Sequence, residues 1–198
     1  MRGTRRLPPV ACALALLAGP ADAHLVTTGL GPVYDGIGHL LVSPDDLLGV
    51  LAVAMLAGLG GSRCGRPALF LLPSAWLFGG LLGLHAARVP APAFASTASL
   101  VAVGALVAAD RRLSPVAVAS VAGAVGLLHG LLNGGAMSGG GFLALVGVGA
   151  AVFTLVSLAA GLVVSLRPAW TRIAVRVAGS WIAAIGMLML GWAAKGAA

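Results

Sequence analysis

The chain has very little charge. Only 9% of its 198 residues are Asp, Glu, Lys or Arg, where a soluble domain carries about 25%. Glutamate is missing altogether, lysine occurs once, and the two cysteines are Cys12 and Cys64. A surface facing water on all sides cannot be covered with so few charges. Soluble enzymes, nucleic-acid binders and disordered chains are therefore disfavoured as classes. The lack of glutamate also removes the His-Glu-x-x-His type of metallohydrolase site. What is present is apolar: 60% hydrophobic residues and a mean hydropathy of +1.06, with 30 Gly and 11 Pro set among Ala, Leu and Val. The natural solvent of such a chain is a bilayer.

Residues 1–23 read as a secretory signal peptide. Arg2, Arg5 and Arg6 form a basic start, Val10 to Ala18 a short apolar core, Gly19-Pro20 a break, and Ala21-Asp22-Ala23 an A-x-A cleavage pattern. The rival reading is an uncleaved first helix. After cleavage the chain would begin at His24, keep Cys64 alone and so form no intramolecular disulfide, and carry a formal charge of +5.

Residues 24–198 are expected to form one six-helix transmembrane domain. Its apolar spans lie at about 44–61, 67–87, 94–109, 115–132, 141–166 and 172–194. The third is short. The continuous apolar runs lack the alternation of barrel strands. Arg63, Arg66, Arg111, Arg112, Arg167, Arg172 and Arg176 fall at one set of loops, and only Arg88 and Lys195 at the other. That bias places the first set in the cytoplasm and the mature N-terminus outside. Gly79/Gly83 and Gly126/Gly130 are spaced to let helices approach closely.

In this topology all four histidines, His24, His39, His85 and His129, lie at the outer face or in the outer third of the membrane. Three of the four remaining aspartates, Asp35, Asp45 and Asp46, lie there too. Imidazole with carboxylate suits divalent first-row ions. Cys64 is on the other side, so no thiolate site is available. His39, Asp45, Asp46, His129 and His24 are the candidate metal ligands, with His85, Asp35 and Asn133 as possible additions. Each has a plainer alternative. Ser43-Pro44-Asp45-Asp46 is a good helix start, in which the acids would serve as cap and dipole partners. His85 can be an interfacial side chain beside Arg88. His129 can be a packed, hydrogen-bonded histidine, although an ionisable group inside a span is a functional candidate by default.

The stretch His24-Leu25-Val26-Thr27-Thr28-Gly29-Leu30-Gly31, then Asp35-Gly36-Ile37-Gly38-His39 through Asp45-Asp46-Leu47-Leu48, resembles the HupE/UreJ family, as does the Gly126-Leu127-Leu128-His129-Gly130 element. The resemblance implies a nickel or cobalt permease of the bacterial inner membrane, working with the maturation of nickel metalloenzymes. It maps the motif histidine and aspartate onto His39 and Asp45. Asp46 stands where that family usually has a histidine, which exchanges a nitrogen donor for oxygen and hardens the site. Copper and zinc fit the same donors.

Because the inner half of the spans offers no acid or histidine, a permease would pass the ion on through backbone carbonyls and hydroxyls such as Ser74, Thr154 or Ser157, or to a partner protein. No nucleotide-binding motif points to ATP use by this chain. The competing readings are a non-transporting metal-binding or assembly protein of the outer face, and an intramembrane enzyme or haem protein. No histidine in the last two spans can pair with Ser138, which disfavours a hydrolase. The expected partners are the lipid bilayer, the metal ion and metalloenzyme maturation proteins, with no nucleic acid.

Overall fold

The computed structural model describes residues 27–85, 94–137 and 141–196. The expected signal peptide, His24, Arg88 and Ser138 lie outside them. Every regular element among the described residues is an α-helix. In chain order these are α1 (Pro32–Val42), α2 (Pro44–Leu59), α3 (Ser62–His85), α4 (Phe94–Ala109), α5 (Pro115–Ala136), α6 (Gly141–Ser165) and α7 (Ala169–Gly196). In a bilayer all backbone groups must be satisfied within the segment, which makes helices the expected outcome for these apolar runs.

Four helices, α3, α5, α6 and α7, are long and apolar enough to cross a membrane. At 1.5 Å per residue, α4 reaches only about 24 Å, short of the ~30 Å hydrocarbon core. The helices α1 and α2 together are apolar enough for a span, but they meet at 78°. The chain is thus a multi-pass, all-helical membrane protein. Residues before 44, expected as an outer segment leading into a span, instead form a helix of their own, α1.

The α1–α2 break follows from Ser43-Pro44. A residue before proline is driven out of the helical region, and Ser43 sits at φ −92°, ψ 101°. Its N–H still closes α1 by donating to the His39 carbonyl at 3.0 Å. Ser114-Pro115 starts α5 in the same way, and there the serine caps, with Ser114 Oγ accepting from Ala117 N–H at 3.1 Å. Ser43 makes no such side-chain bond, so the capping box considered for Ser43 and Asp46 does not form.

Packing is set by glycines. Along α3 and α5, a Cβ on Gly79 or Gly83 would overlap the backbone at Leu127 or Leu131, and one on Gly130 would overlap the Trp76 carbonyl. Both predicted glycine pairs therefore sit in the α3–α5 seam, where they allow near backbone contact. Gly104 and Gly179 do the same for α4 and α7, and Gly36 and Gly147 dock α1 on α6. The helix α2 occupies the middle of the bundle, touches every other helix and buries Val50, Val53, Ala54 and Ala57 completely.

Candidate metal-binding site

The first turn of α2 puts Asp46 in the bundle interior, 5% exposed. The last turns of α5 bring up His129, fully buried, and Asn133, 3% exposed and one turn further on. His129 Nδ1 lies 2.7 Å from Asp46 Oδ1. Asn133 Nδ2 donates to Asp46 Oδ2 at 2.9 Å and to the His129 carbonyl at 2.9 Å. This fixes the amide: turned over, its oxygen would face a carboxylate and a carbonyl. Asn133 Oδ1 is then left buried with no hydrogen-bond partner among the described residues.

The other edge of the imidazole faces α4. His129 Nε2 is 2.8 Å from Ser99 Oγ, and Ser99 Oγ donates to the Ser96 carbonyl at 2.6 Å. A hydroxyl has one hydrogen. With that hydrogen on Ser96, Ser99 accepts from Nε2–H. The chain Nε2–H to Ser99 to Ser96 C=O holds the hydrogen on Nε2. It leaves Nδ1, the nitrogen facing Asp46, as the one a proton or a cation can occupy. A histidine ligand is typically oriented in this way by the group bonded to its second nitrogen.

Two neighbours crowd the ring. Trp76 of α3 lies with its ring centroid 5.3 Å from that of His129, brought there by the close approach at Gly130. A Cβ on Gly49 would stand 3.4 Å from His129 Cε1, so a larger residue there would press on the ring. The indole Nε1 of Trp76 is also buried without a partner among the described residues.

His39 completes the constellation. It stands four residues before the break, and the 78° bend returns it toward the start of α2. His39 Nε2 is 3.9 Å from Asp46 Oδ2, too long for a hydrogen bond and wide enough for a bridging species. Asp46 of α2 thus gathers His39 from α1 and His129 and Asn133 from α5. As arranged, no three His, Cys, Asp or Glu side chains among the described residues close on one point at metal-ligand range.

The remaining candidates are placed differently. Asp45 is half-buried and outside this network. Asp35 spends Oδ1 locally, accepting from Thr28 N–H at 2.6 Å and Thr28 Oγ1 at 2.7 Å. Those two bonds, the side-chain one foremost, hold its carboxyl below the usual carboxylate range. His85 is exposed at the end of α3, and its Nδ1 bonds the Leu81 carbonyl of its own helix at 2.8 Å. Thr154 and Ser157 donate back to Ala150 and Phe153 of their own helix, and Ser74 is exposed. These hydroxyls line no interior path, which corrects the exit route expected from sequence. Beyond Asp46 the interior is closed by apolar side chains including Val50, Val53, Leu100 and Val103.

Ser99, Ser96, Trp76 and Gly49 were not anticipated. The only sequence signal for Ser99 is a hydroxyl in the outer third of a short span whose neighbours are mostly apolar.

Comparison with known proteins places the chain. The family described as HupE / UreJ protein matches residues 12–189, and the chain belongs to it. Protein HupE of Rhizobium leguminosarum bv. viciae is 30% identical over 126 residues, which cover 61% of this chain. The chain spans just under two thirds (64%) of that relative's length. No solved structure matches the chain.

Proposed function

We propose that the protein is a membrane permease for a divalent transition-metal ion, nickel or cobalt in the first instance, captured at the Asp46–His129–His39 site. The observation that carries the reading is the buried set itself. A carboxylate faces one histidine at 2.7 Å and a second at 3.9 Å, beside an asparagine oxygen with no partner among the described residues. Such a set is costly to bury in an apolar bundle and supplies mixed nitrogen and oxygen donors of borderline softness. Family membership supports the same reading.

The ion would bind His129 through Nδ1, with Ser99 keeping Nε2–H. His39 Nε2 and Asn133 Oδ1 would add donors as the ion enters the gap beside Asp46. Asp46, in the first turn of α2, also lies in the favourable field of that helix N-terminus. The closed apolar layer below the site means that release to the other side requires the helices to rearrange. On the charge bias, the site faces the periplasm of the inner membrane and the arginines face the cytoplasm. Maturation proteins of nickel enzymes are the expected recipients of the ion.

The test is nickel and cobalt flux into proteoliposomes holding the wild type, His39→Ala or His129→Ala, with insertion checked by protease protection. The account expects flux in the wild type and its loss in both variants. Binding without flux in the wild type would instead assign a metal-binding or assembly role. Unchanged flux in His129→Ala would refute the site.

A further inference from the structure

The opposite end of the bundle carries a second site that the metal reading does not use. There the α2–α3, α4–α5 and α6–α7 connections meet around two adjoining cavities. The first, of about 520 Å³, is lined by Arg111, Arg112 and Arg172 together with Asp110. The second, of about 290 Å³, is lined by Arg167 and Arg172 with Gly61 and Pro168. They share Leu59 and Arg172.

Four arginines therefore stand over this basin against one acid. That acid is already engaged: Arg172 Nε and Nη2 bond Asp110 Oδ2 and Oδ1 at 2.5 and 2.7 Å. That pair balances the charge of Arg172, and no other acid among the described residues lines either cavity to balance Arg111, Arg112 and Arg167. The basin has a net positive charge and fits an anion.

Its floor is not closed by polar groups. The second cavity shares Val163, Leu166, Thr171 and Val175 with an apolar groove of about 390 Å³ between α2, α6 and α7. Leu51, Met55, Leu162 and Ala174 line that groove, and Trp170, 67% exposed, stands at its rim. A cationic basin opening into an apolar groove, with a tryptophan at the level where the two meet, matches one amphiphile. Basic pockets between transmembrane helices hold anionic headgroups, and tryptophan marks the interface. We infer that this end binds an anionic phospholipid, its phosphate among Arg112, Arg167 and Arg172 and one acyl chain in the Met55–Ala174 groove.

The inference is independent of the metal site. It is tested by native mass spectrometry of the full chain in detergent, titrated with phosphatidylglycerol or phosphatidylcholine of identical chains. The wild type is expected to retain phosphatidylglycerol preferentially. Each surface arginine is worth about 1 kcal/mol, or about fivefold, so Arg112→Gln and Arg167→Gln should each weaken retention about fivefold. Ala174→Trp, which fills the groove, should abolish it while leaving nickel binding intact. Equal retention of the two lipids would overturn the proposal. So would unchanged retention in Ala174→Trp, or displacement of the lipid by an equal concentration of glycerol phosphate, which would mark a site for free anions. If an arginine variant does not purify folded, Ala174→Trp decides.

Discussion

Asp46→Asn separates a metal-site carboxylate from a helix cap. Asparagine caps a helix N-terminus as well as aspartate does, so a capping role predicts almost no change in stability. The structure predicts otherwise. Asp46 lies 2.7 Å from His129 Nδ1 and accepts from Asn133 at 2.9 Å, both buried. An asparagine there keeps one oxygen and turns an amide nitrogen toward a second donor. Hydrogen bonds to charged groups are worth about 1.5–3 kcal/mol each, and breaking a buried pair costs about 3–5 kcal/mol. Hydrogen bonds within membranes average nearer 0.6 kcal/mol, which argues for the lower end. A loss of about 3 kcal/mol corresponds to a Tm lower by about 6–12 °C in a chain of this size. The assay is thermal unfolding in detergent, followed by circular dichroism. The paired replacement Asp46→Leu with His129→Leu should recover most of that stability, because apolar groups of similar volume often substitute for a buried pair, while metal uptake stays lost. A Tm within 2 °C of wild type for Asp46→Asn would refute the reasoning.

Four further variants have outcomes that follow from the structure. Gly130→Leu should separate α3 from α5, since a Cβ there overlaps the Trp76 carbonyl; destabilisation of at least ~1–3 kcal/mol is expected. Gly161→Ala, in open space on α6, should be neutral or stabilising by up to ~1 kcal/mol, and the two melting curves compared side by side check the pair. His85→Ala should leave metal uptake unchanged, because that imidazole is exposed and bonded to its own helix; loss of uptake would add His85 to the site. Asp35 has its carboxyl lowered by Thr28, so the stability it contributes is complete above the ordinary carboxylate value of 3.8 and is lost as pH falls through the lowered value. Thr28→Val removes the side-chain bond and keeps the backbone one, so it should raise that carboxyl part of the way toward its ordinary value, read by NMR titration, and should reduce this contribution to acid sensitivity.

The apolar runs and their proline and glycine punctuation made most of the helices legible: the helix bounds of α4 coincide with the expected third span, and those of α6 and α7 lie within a few residues of expectation. The charge bias also grouped correctly the loops that meet around Arg111, Arg112, Arg167 and Arg172. The helix α1 was missed because an eleven-residue segment with Asp35 and His39 reads as an outer leader. The helix docks Gly36 and Val33 on α6, a tertiary contact that composition and charge counting do not reveal. At the site, His39, Asp46, His129 and Asn133 stood out in the sequence because ionisable and amide groups are scarce in this chain, and the fold brings these four together. Composition could not say which of several outer groups share a centre. Asp35 and His85 fit the chemistry equally well, yet one is held by Thr28 and the other by the Leu81 carbonyl. Ser99 was invisible for the opposite reason: a serine in a helix ordinarily bonds only its own backbone, and its second role appears only once α4 lies beside α5.

The central claim, that Asp46 and His129 form a metal centre, is tested most directly by X-ray absorption spectroscopy of the nickel-loaded, purified chain alongside His129→Ala. The account predicts an imidazole-containing nitrogen and oxygen shell without sulfur in the wild type, and loss of stoichiometric nickel in the variant. A sulfur shell, or the same nickel content and spectrum in His129→Ala, would contradict it.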